Sequence, residues 1–187
     1  MPYERTIQAV ASAITSTFDE LDVWFEHPPN LACYKPAGGG WSINEVLEHV
    51  SLTSHFLLIV IRNGTQKALK RAGGQQLPAS GESNLELLSS IGARGSFSWT
   101  RPEHMVPTGK KLMREVRQTL QQQREECLTL LQKLSHGEGA MFTANMSVAG
   151  IGRMDLYQWI YFLVLHARRH IAQMEAIYLE AKQAYPA

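Results

Sequence analysis

Four stretches of this chain repeat apolar side chains at intervals of three and four residues, and this periodicity constrains the fold more than any other feature. Such spacing places the apolar side chains on one face of an α-helix. The pattern predicts helices at residues 3–25, 42–62, 108–134 and 155–184. Strand-like alternation is almost absent, and only residues 143–148 suit a short extended segment. The sequence therefore predicts an all-α fold.

The start of the second predicted helix carries the strongest local signal. Ser42 is followed three residues later by Glu45, the spacing of a capping box in which each side chain binds a backbone N–H of the other residue. Trp41 and Val46 stand on either side of the cap, where the two residues of a hydrophobic staple are found. The same helix is predicted to end at residues 63–64, an Asn-Gly pair.

Other helix ends carry weaker signals of the same kind. Two prolines at residues 28–29 are predicted to end the first helix, and a His-Gly pair at residues 136–137 is predicted to end the third. Asp155 is the predicted N-cap of the fourth helix, with Gln158 at the reciprocal position. The first half of that helix is apolar nearly all round, so we expect it to lie deep inside the fold.

A long connection separates the second and third predicted helices. Residues 64–107 contain nine glycines or prolines, and only a short helix near residues 84–91 fits between them. Connections of this length are often functional, and in a helical bundle they allow consecutive helices to run parallel. With 187 residues, the chain is predicted to form one domain over residues 1–187. Its predicted architecture is a four-helix bundle with a long crossover connection between helices 2 and 3.

Charge is divided unevenly along the chain, although the formal net charge is only +1. Residues 1–61 hold 2 basic and 7 acidic side chains, whereas residues 62–124 hold 11 basic and 4 acidic ones. A solvated basic face is the favoured interpretation, and the alternative is a mouth that attracts an anionic small molecule. The basic residues lack interleaved aromatic side chains, and no helix-turn-helix pattern is present, so we expect no nucleic-acid partner.

The cysteines and the apolar stretches bear on the compartment. Cys33 and Cys127 are too few for a disulfide framework and lie in no CxxC motif, and Cys127 is interpreted as a core residue. These cysteines and an N-terminus without an apolar signal core predict a reduced, cytoplasmic protein. The most apolar stretch, residues 156–165, is much shorter than the roughly 20 residues that span a membrane, so no membrane partner is expected.

Two histidines on the fourth predicted helix form a candidate metal-binding pair. His166 and His170 are four residues apart, which places both imidazoles on one helix face about one turn apart. Spacing alone favours a shared metal and a chance pair equally. Their apolar surroundings favour the metal, because burying two imidazoles without partners costs free energy. Ala167 follows His166, so the HExxH motif of metalloproteases and its built-in glutamate base are absent.

His49 is the third candidate ligand. It lies at the edge of the inner face of the second predicted helix, where position alone favours a core or boundary histidine over a ligand. His55 is predicted to point elsewhere, and His104 is interpreted as an exposed loop histidine that could still reach the mouth of a site. Glu45 lies one turn before His49 and could act as a base or as an acceptor for a ligand, but its role as a helix cap already explains it.

Two motifs around these histidines resemble a known family. Residues 41–49, WSINEVLEH, follow the pattern W-S-x-x-E-x-L-x-H. Residues 159–162, WIYF, precede HARRHIAQ at residues 166–173, which follows H-x-x-x-H-x-x-Q. Together with the helix order and the long second connection, these motifs resemble the DinB/YfiT-like superfamily of metal-dependent enzymes over residues 5–180.

The resemblance implies a fold and a set of metal ligands. Members form a four-helix bundle with a crossover and are often dimeric, which implies a homodimer here. Matched position by position, the metal ligands would be His49, His166 and His170, which would hold one divalent transition metal. Zinc or nickel is favoured, and manganese or iron also fits the family. Three imidazoles leave coordination positions open, as in catalytic rather than structural zinc sites.

Three functions remain open. The leading hypothesis, implied by relatives that use low-molecular-weight thiols, is a thiol-dependent S-transferase or isomerase acting on a small electrophilic molecule. The first alternative is a metal-dependent hydrolase, for which Glu45, Glu103 and His104 are the candidate bases. The second alternative is a non-enzymatic metal-binding protein of the stress response. In either enzyme, residues 64–107 and 137–154 are expected to cover the open face of the metal and to contact the small-molecule substrate.

Overall fold

The computed structural model describes residues 2–77, 81–92, 102–146 and 150–185, and this part of the chain is mostly helical. Its α-helices are α1 (Glu4–Val23), α2 (Pro29–Ala32), α3 (Ile43–Ala72), α4 (Met113–Lys133) and α5 (Leu156–Ala184). Short 3-10 helices cover Trp24–Glu26, Glu86–Gly92, Glu103–Met105 and Glu138–Met141. An antiparallel hairpin pairs β1 (Thr143–Met146) with β2 (Gly152–Asp155), and Thr143 lies opposite Asp155.

Both predicted capping boxes are present. At the start of α3, the Ser42 hydroxyl accepts from the backbone N–H of Glu45, and the Glu45 carboxylate accepts from the backbone N–H of Ser42 at 2.8 Å. At the start of α5, the Asp155 carboxylate accepts from the backbone N–H of Gln158 at 2.9 Å. The side-chain oxygen of Gln158 in turn accepts from the backbone N–H of Asp155 at 3.0 Å. Each box satisfies backbone donors that helix geometry leaves without an intrahelical partner. Local sequence therefore determines where α3 and α5 begin.

The four long helices pack in pairs around a shared hydrophobic core. α5 packs against α1 and α3, and α4 also packs against both of them. The first half of α5 is buried on most of its circumference, and Leu156, Tyr157 and Phe162 are fully buried. This confirms the prediction that the apolar run lies deep inside the fold. No helix in the described ranges is both long and apolar enough to cross a membrane.

α3 continues to Ala72, about two and a half turns beyond its predicted end at residues 63–64. Gly64 is buried inside this helix, where a Cβ atom would lie 2.6 Å from Leu156 Cδ2 and 2.8 Å from Phe142 Cε1. The glycine therefore allows a close approach of neighbouring side chains and does not end the helix. The predicted helix end is wrong because tertiary packing, which the local pattern does not report, explains this glycine.

Other boundaries also differ from the prediction. α4 begins at Met113 instead of at residue 108, because the preceding segment is held on α3 by hydrogen bonds described below. The short helix expected near residues 84–91 is a 3-10 helix. Residues 143–146 are extended as expected, but they pair with β2, which the pattern did not predict. Residues 147–148 of the expected extended segment lie outside the described residues.

Ion pairs between α1 and α4 account for part of the uneven charge distribution. Two nitrogens of the Arg117 guanidinium on α4 donate to the two carboxylate oxygens of Asp22, at 2.8 and 2.6 Å, and the third nitrogen lies 2.7 Å from Glu26. Arg124, two turns further along α4, pairs with Asp19 at 3.2 Å. Partly exposed pairs of this kind contribute about 0–1 kcal/mol each. These ion pairs nevertheless place acidic side chains of the N-terminal third of the chain opposite basic side chains of α4.

The packing role of Gly64 predicts a loss of stability in Gly64→Ala. Alanine favours helix by about 1 kcal/mol over glycine, but the new methyl group would overlap Leu156 and Phe142, and overpacking costs about 1–3 kcal/mol. We expect a net decrease in the free energy of unfolding, measured by urea denaturation. Gly73→Ala is the matched control, because its Cβ would meet only ordinary contacts at 3.7 Å. Equal effects of the two substitutions would contradict the packing role.

Candidate metal centre

The packing of α3 against α5 brings three histidines together. Gly64 meets Leu156 and His49 meets His166, so the two helices run in opposite directions. The imidazole centroids lie 5.3 Å apart for His49 and His166, 4.8 Å for His49 and His170, and 4.5 Å for the α5 pair. One ring nitrogen from each histidine lies within 4.8 Å of the others, and all three side chains are buried.

The spacing of the ring nitrogens fits a single metal ion. The Nε2 atoms of His166 and His170 are 3.2 Å apart. Two imidazole nitrogens that each lie about 2.0–2.1 Å from a tetrahedral zinc ion are separated by about 3.4 Å. The α5 pair therefore already has nearly the separation that a shared ion requires.

Hydrogen bonds at the other ring nitrogen orient two of the three imidazoles. His49 Nδ1 lies 2.6 Å from the backbone carbonyl oxygen of Met105, and His170 Nδ1 lies 2.9 Å from Gln173 Oε1. Because carbonyl oxygens only accept, each Nδ1 is the donor and carries the proton. The unprotonated Nε2 of each ring is then available as a ligand, which is the usual arrangement of metal-binding histidines. Gln173 is the glutamine of the H-x-x-x-H-x-x-Q pattern.

The electrostatics of the site favour neutral imidazoles. Burial lowers the pKa of His166 well below its ordinary value, and the neighbouring His170, His49 and Arg169 lower it further. His166 is therefore neutral at pH 7, which is the protonation state in which histidine binds a metal. The indole of Trp41 packs against His49, with ring centroids 4.7 Å apart. The cluster is thus a buried set of imidazole nitrogens, suited to a borderline transition metal.

The two catalytic candidates from the sequence are placed outside this cluster. The Glu45 carboxylate is bound by the Ser42 backbone and hydroxyl and by Lys35 Nζ. Burial alone would raise the pKa of Glu45, but the bonds from Lys35 and Ser42 outweigh it and lower the pKa. His104 is exposed, and its ring lies against Phe56 with centroids 4.1 Å apart. The structure therefore explains Glu45 as a helix cap and does not bring His104 to the three histidines.

The cysteines are also explained by their positions. Cys127 is fully buried on α4, and burial, followed by the nearby Glu126, raises the pKa of its thiol to about 12. A thiol with this pKa stays protonated near neutral pH, so Cys127 is a core residue as predicted. Cys33 is exposed, and its sulfur accepts a hydrogen bond from Asn44 at 3.4 Å.

A buried glutamate beside the first histidine was missed at the sequence level. Glu48 is fully buried, and its carboxylate accepts from the Thr108 backbone N–H at 3.0 Å, the Thr108 hydroxyl at 2.9 Å and the Gly109 backbone N–H at 2.8 Å. The available signal was an acidic residue inside the apolar run VLEHV, which begins at Val46. A buried carboxylate needs such donors, because charge without partners is costly to bury.

Both segments expected to cover the metal have described residues near the start of α5, where Ser83 of the first segment donates to Asp155, and the first segment also reaches the histidines. In the first, residues 64–107, the Met105 carbonyl reaches His49, as expected, while residues 78–80 and 93–101 lie outside the described part. In the second, residues 137–154, the described contacts are with Tyr157 and Gly64, near the start of α5. That position is about 15 Å along α5 from His166. The expectation is therefore wrong for the described residues of 137–154.

A mostly helical chain with a buried cluster of three histidines that could hold a metal ion is compatible with a metal-binding protein. The family model described as the DinB superfamily matches residues 6–174, and the chain belongs to this superfamily. Members of the superfamily bind metal. The comparison with curated proteins gave no match, and neither did the comparison with solved structures.

The three-histidine cluster predicts one bound divalent metal per chain. We expect His49→Ala, His166→Ala and His170→Ala each to reduce zinc affinity by more than the roughly 10–100-fold caused by loss of an outer hydrogen-bond partner. His55→Ala is the matched control, since His55 is an exposed histidine of the same helix as His49. Equilibrium dialysis with elemental analysis, on protein purified without a histidine tag, would measure this. Equal zinc content in all four variants would contradict the assignment.

Proposed function

We propose that the chain is a metal-dependent enzyme that activates a low-molecular-weight thiol for attack on a small electrophilic molecule, as an S-transferase or isomerase. The observation that carries the proposal is the buried cluster of His49, His166 and His170, which offers neutral nitrogen donors alone. Three protein ligands leave at least one coordination position for a second molecule. Zinc or nickel suits this donor set best, and manganese or iron is the second choice.

The chemistry follows from what the bound metal and the surrounding residues each supply. When bound, a divalent metal lowers the pKa of a coordinated thiol, so that the thiolate forms near neutral pH. A free thiol with a pKa near 8.5 is about 3% ionised at pH 7, so complete ionisation raises the thiolate fraction about 30-fold. The histidines would hold the metal, the bonds to Met105 and Gln173 orient two of them, and the indole of Trp41 packs against His49.

The bonding of the nearby carboxylates favours thiol activation over hydrolysis as the reaction. Hydrolysis of an amide needs a group that donates a proton to the leaving amine as well as an activated water. Glu45 is bound by Lys35 and Ser42, and Glu48 is bound by three donors on Thr108 and Gly109. Both glutamates are therefore engaged in structural bonds. A thiol that attacks an alkylating or conjugated electrophile needs neither of them.

The protein's own thiols do not suit the role of nucleophile. Cys127 is buried with a raised pKa, and Cys33 lies on the short stretch before α3, bonded to Asn44. Since α3 begins at Ile43, Cys33 stands outside the helix that carries His49. These positions favour a thiol that enters with the substrate. The proposal accordingly names a free low-molecular-weight thiol as the second partner.

A paired assay tests the reaction class. Zinc- and nickel-loaded protein should accelerate the conjugation of cysteine, glutathione or 2-mercaptoethanol with 1-chloro-2,4-dinitrobenzene at pH 7. The chelated protein should lose this acceleration because it lacks the metal, and His170→Ala should lose it because it lacks one of the three donors. His55→Ala should retain it, because His55 is not part of the donor set. The same samples are assayed with p-nitrophenyl acetate and leucine p-nitroanilide to measure hydrolysis.

Each result of the paired assay supports one of the three functions. Conjugation that persists after complete metal removal would rule out metal activation of the thiol. Metal-dependent hydrolysis without conjugation would support the hydrolase alternative instead. Metal binding with neither activity across a wide panel of thiols and electrophiles would support a non-enzymatic metal-binding protein of the stress response.

The assembly and the finer architecture belong to the same proposal. We propose a homodimer in the cytoplasm, with neither nucleic acid nor a membrane as partner, and a four-helix bundle with a crossover between α3 and α4. The pairwise packing of the four long helices supports the bundle, and family resemblance supports the dimer. Sedimentation equilibrium distinguishes the 21.0 kDa chain from a species of twice that mass. Spin-label distances between the long helices would test the bundle.

A further inference from the structure

We propose that Glu48 is a positioning residue for the metal ligand His49, and that it acts by holding the segment of residues 102–109 on α3. This inference rests on the proposed metal site, but it concerns a residue and a segment outside the ligand set. It predicts that docking of the 102–109 segment and metal binding are coupled.

Two neighbouring residues of α3 hold the 102–109 segment at two points. The His49 ring donates to the Met105 carbonyl at 2.6 Å. Three residues later in the segment, the Glu48 carboxylate accepts from the Thr108 backbone, the Thr108 hydroxyl and the Gly109 backbone. Adjacent residues of an α-helix point about 100° apart. The two anchors, His49 and Glu48, therefore bind the segment from different directions. One anchor is itself the bond that orients the metal ligand.

The backbone around Gly109 is shaped to meet the Glu48 carboxylate. Gly109 has a φ of +69°, in the left-handed region that favours glycine. A Cβ atom at this position would lie 3.2 Å from Glu45 Oε1, so the space is also restricted. The turn directs two successive N–H groups to one buried carboxylate, which is a strong charge-assisted arrangement. This local conformation is why α4 cannot begin at residue 108.

Burial makes the Glu48 anchor strong in energetic terms. The glutamate is fully buried, and Met105 in the segment is buried as well. Removing a partner from a buried charged group leaves that group without compensation, so the segment is expected to remain docked while Glu48 is intact. Docking keeps the Met105 carbonyl at His49 Nδ1. The proton therefore stays on Nδ1, and Nε2 stays available as the ligand.

Coupling between the segment and the metal follows from the same bond. A cation on Nε2 makes the Nδ1 proton a stronger donor, so metal binding should strengthen the bond to the Met105 carbonyl. By thermodynamic linkage, docking of the segment must raise metal affinity by the same factor by which bound metal favours docking. Loss of such an outer partner typically lowers metal affinity 10–100-fold. We therefore expect a decrease within this range when the Glu48 anchor is weakened.

The test uses Glu48→Gln and the milder Thr108→Val, which removes one of the three donors and keeps the carboxylate. Glu138→Gln is the matched control, because Glu138 is also a buried glutamate that accepts a backbone N–H, from His136 at 2.8 Å, but lies in the 137–154 segment. Zinc affinity is measured by competition with a chromophoric chelator. The tautomer of His49 is read by ¹⁵N NMR of histidine-labelled protein, and hydrogen exchange reports on residues 102–109 with and without zinc.

The inference predicts a specific set of results. In the wild type, zinc should slow amide exchange in residues 102–109. Glu48→Gln should lower zinc affinity about 10–100-fold, and the His49 Nδ1–H signal should give way to a tautomer mixture. Thr108→Val should also lower the zinc affinity and the population of the His49 Nδ1–H tautomer, but by a smaller amount than Glu48→Gln does. Glu138→Gln should lose stability while keeping its zinc affinity and its His49 tautomer.

Failure of this inference is distinguishable from failure of the proposed function. If the wild type binds zinc, but zinc leaves exchange in residues 102–109 unchanged and Thr108→Val keeps both the affinity and the tautomer, the positioning role is wrong. That result would leave the three-histidine site intact. If the wild type binds no divalent metal, the proposed function fails as well. Because Thr108→Val keeps every buried charge, the test does not depend on Glu48→Gln folding normally.

Discussion

The packing of α3 on α5 is the contact on which the rest of the structure depends. At one end, Gly64 removes the side chain that would collide with Leu156 and allows the helices to approach closely. At the other end, His49 faces His166 and His170. With a rise of about 1.5 Å per residue, the contact at Gly64 lies about 20 Å along α3 from the imidazoles. One pair of helices therefore carries both the close contact at Gly64 and the histidine cluster.

Burial imposes a second constraint, because polar groups inside the fold need partners. The imidazoles of His49 and His170 donate to Met105 and Gln173, and the Glu48 carboxylate accepts three bonds. These bonds satisfy the buried groups and also leave Nε2 of His49 and His170 unprotonated, as metal ligation requires. The requirement to satisfy buried polar groups and the requirement to prepare a metal site are thus met by the same hydrogen bonds. Glu45, the candidate base of a hydrolytic mechanism, is engaged by separate bonds from Lys35 and Ser42.

Much of the secondary structure could be predicted, because it depends on interactions between residues close in sequence. The capping boxes at Ser42 and Asp155 and the apolar periodicity located α3 and α5. The errors share a cause. Gly64 was interpreted as a helix end, and the segment before Met113 was interpreted as helix, although both conformations are decided by partners from distant parts of the chain. The expected cover from residues 137–154 failed for the same reason, since loop placement follows from helix direction and packing.

The candidate site shows the same division. By itself the sequence determined that His166 and His170 share one helix face, and the family motif singled out His49 beside them, because spacing within a helix is a local property. Metal ligation by these three residues stays a prediction. Only the tertiary structure decided that all three rings meet, that Met105 orients His49, and that Glu48 is buried against Thr108 and Gly109. Those contacts join residues about 60 or 120 positions apart, and no local pattern encodes which distant backbone groups will satisfy a buried side chain.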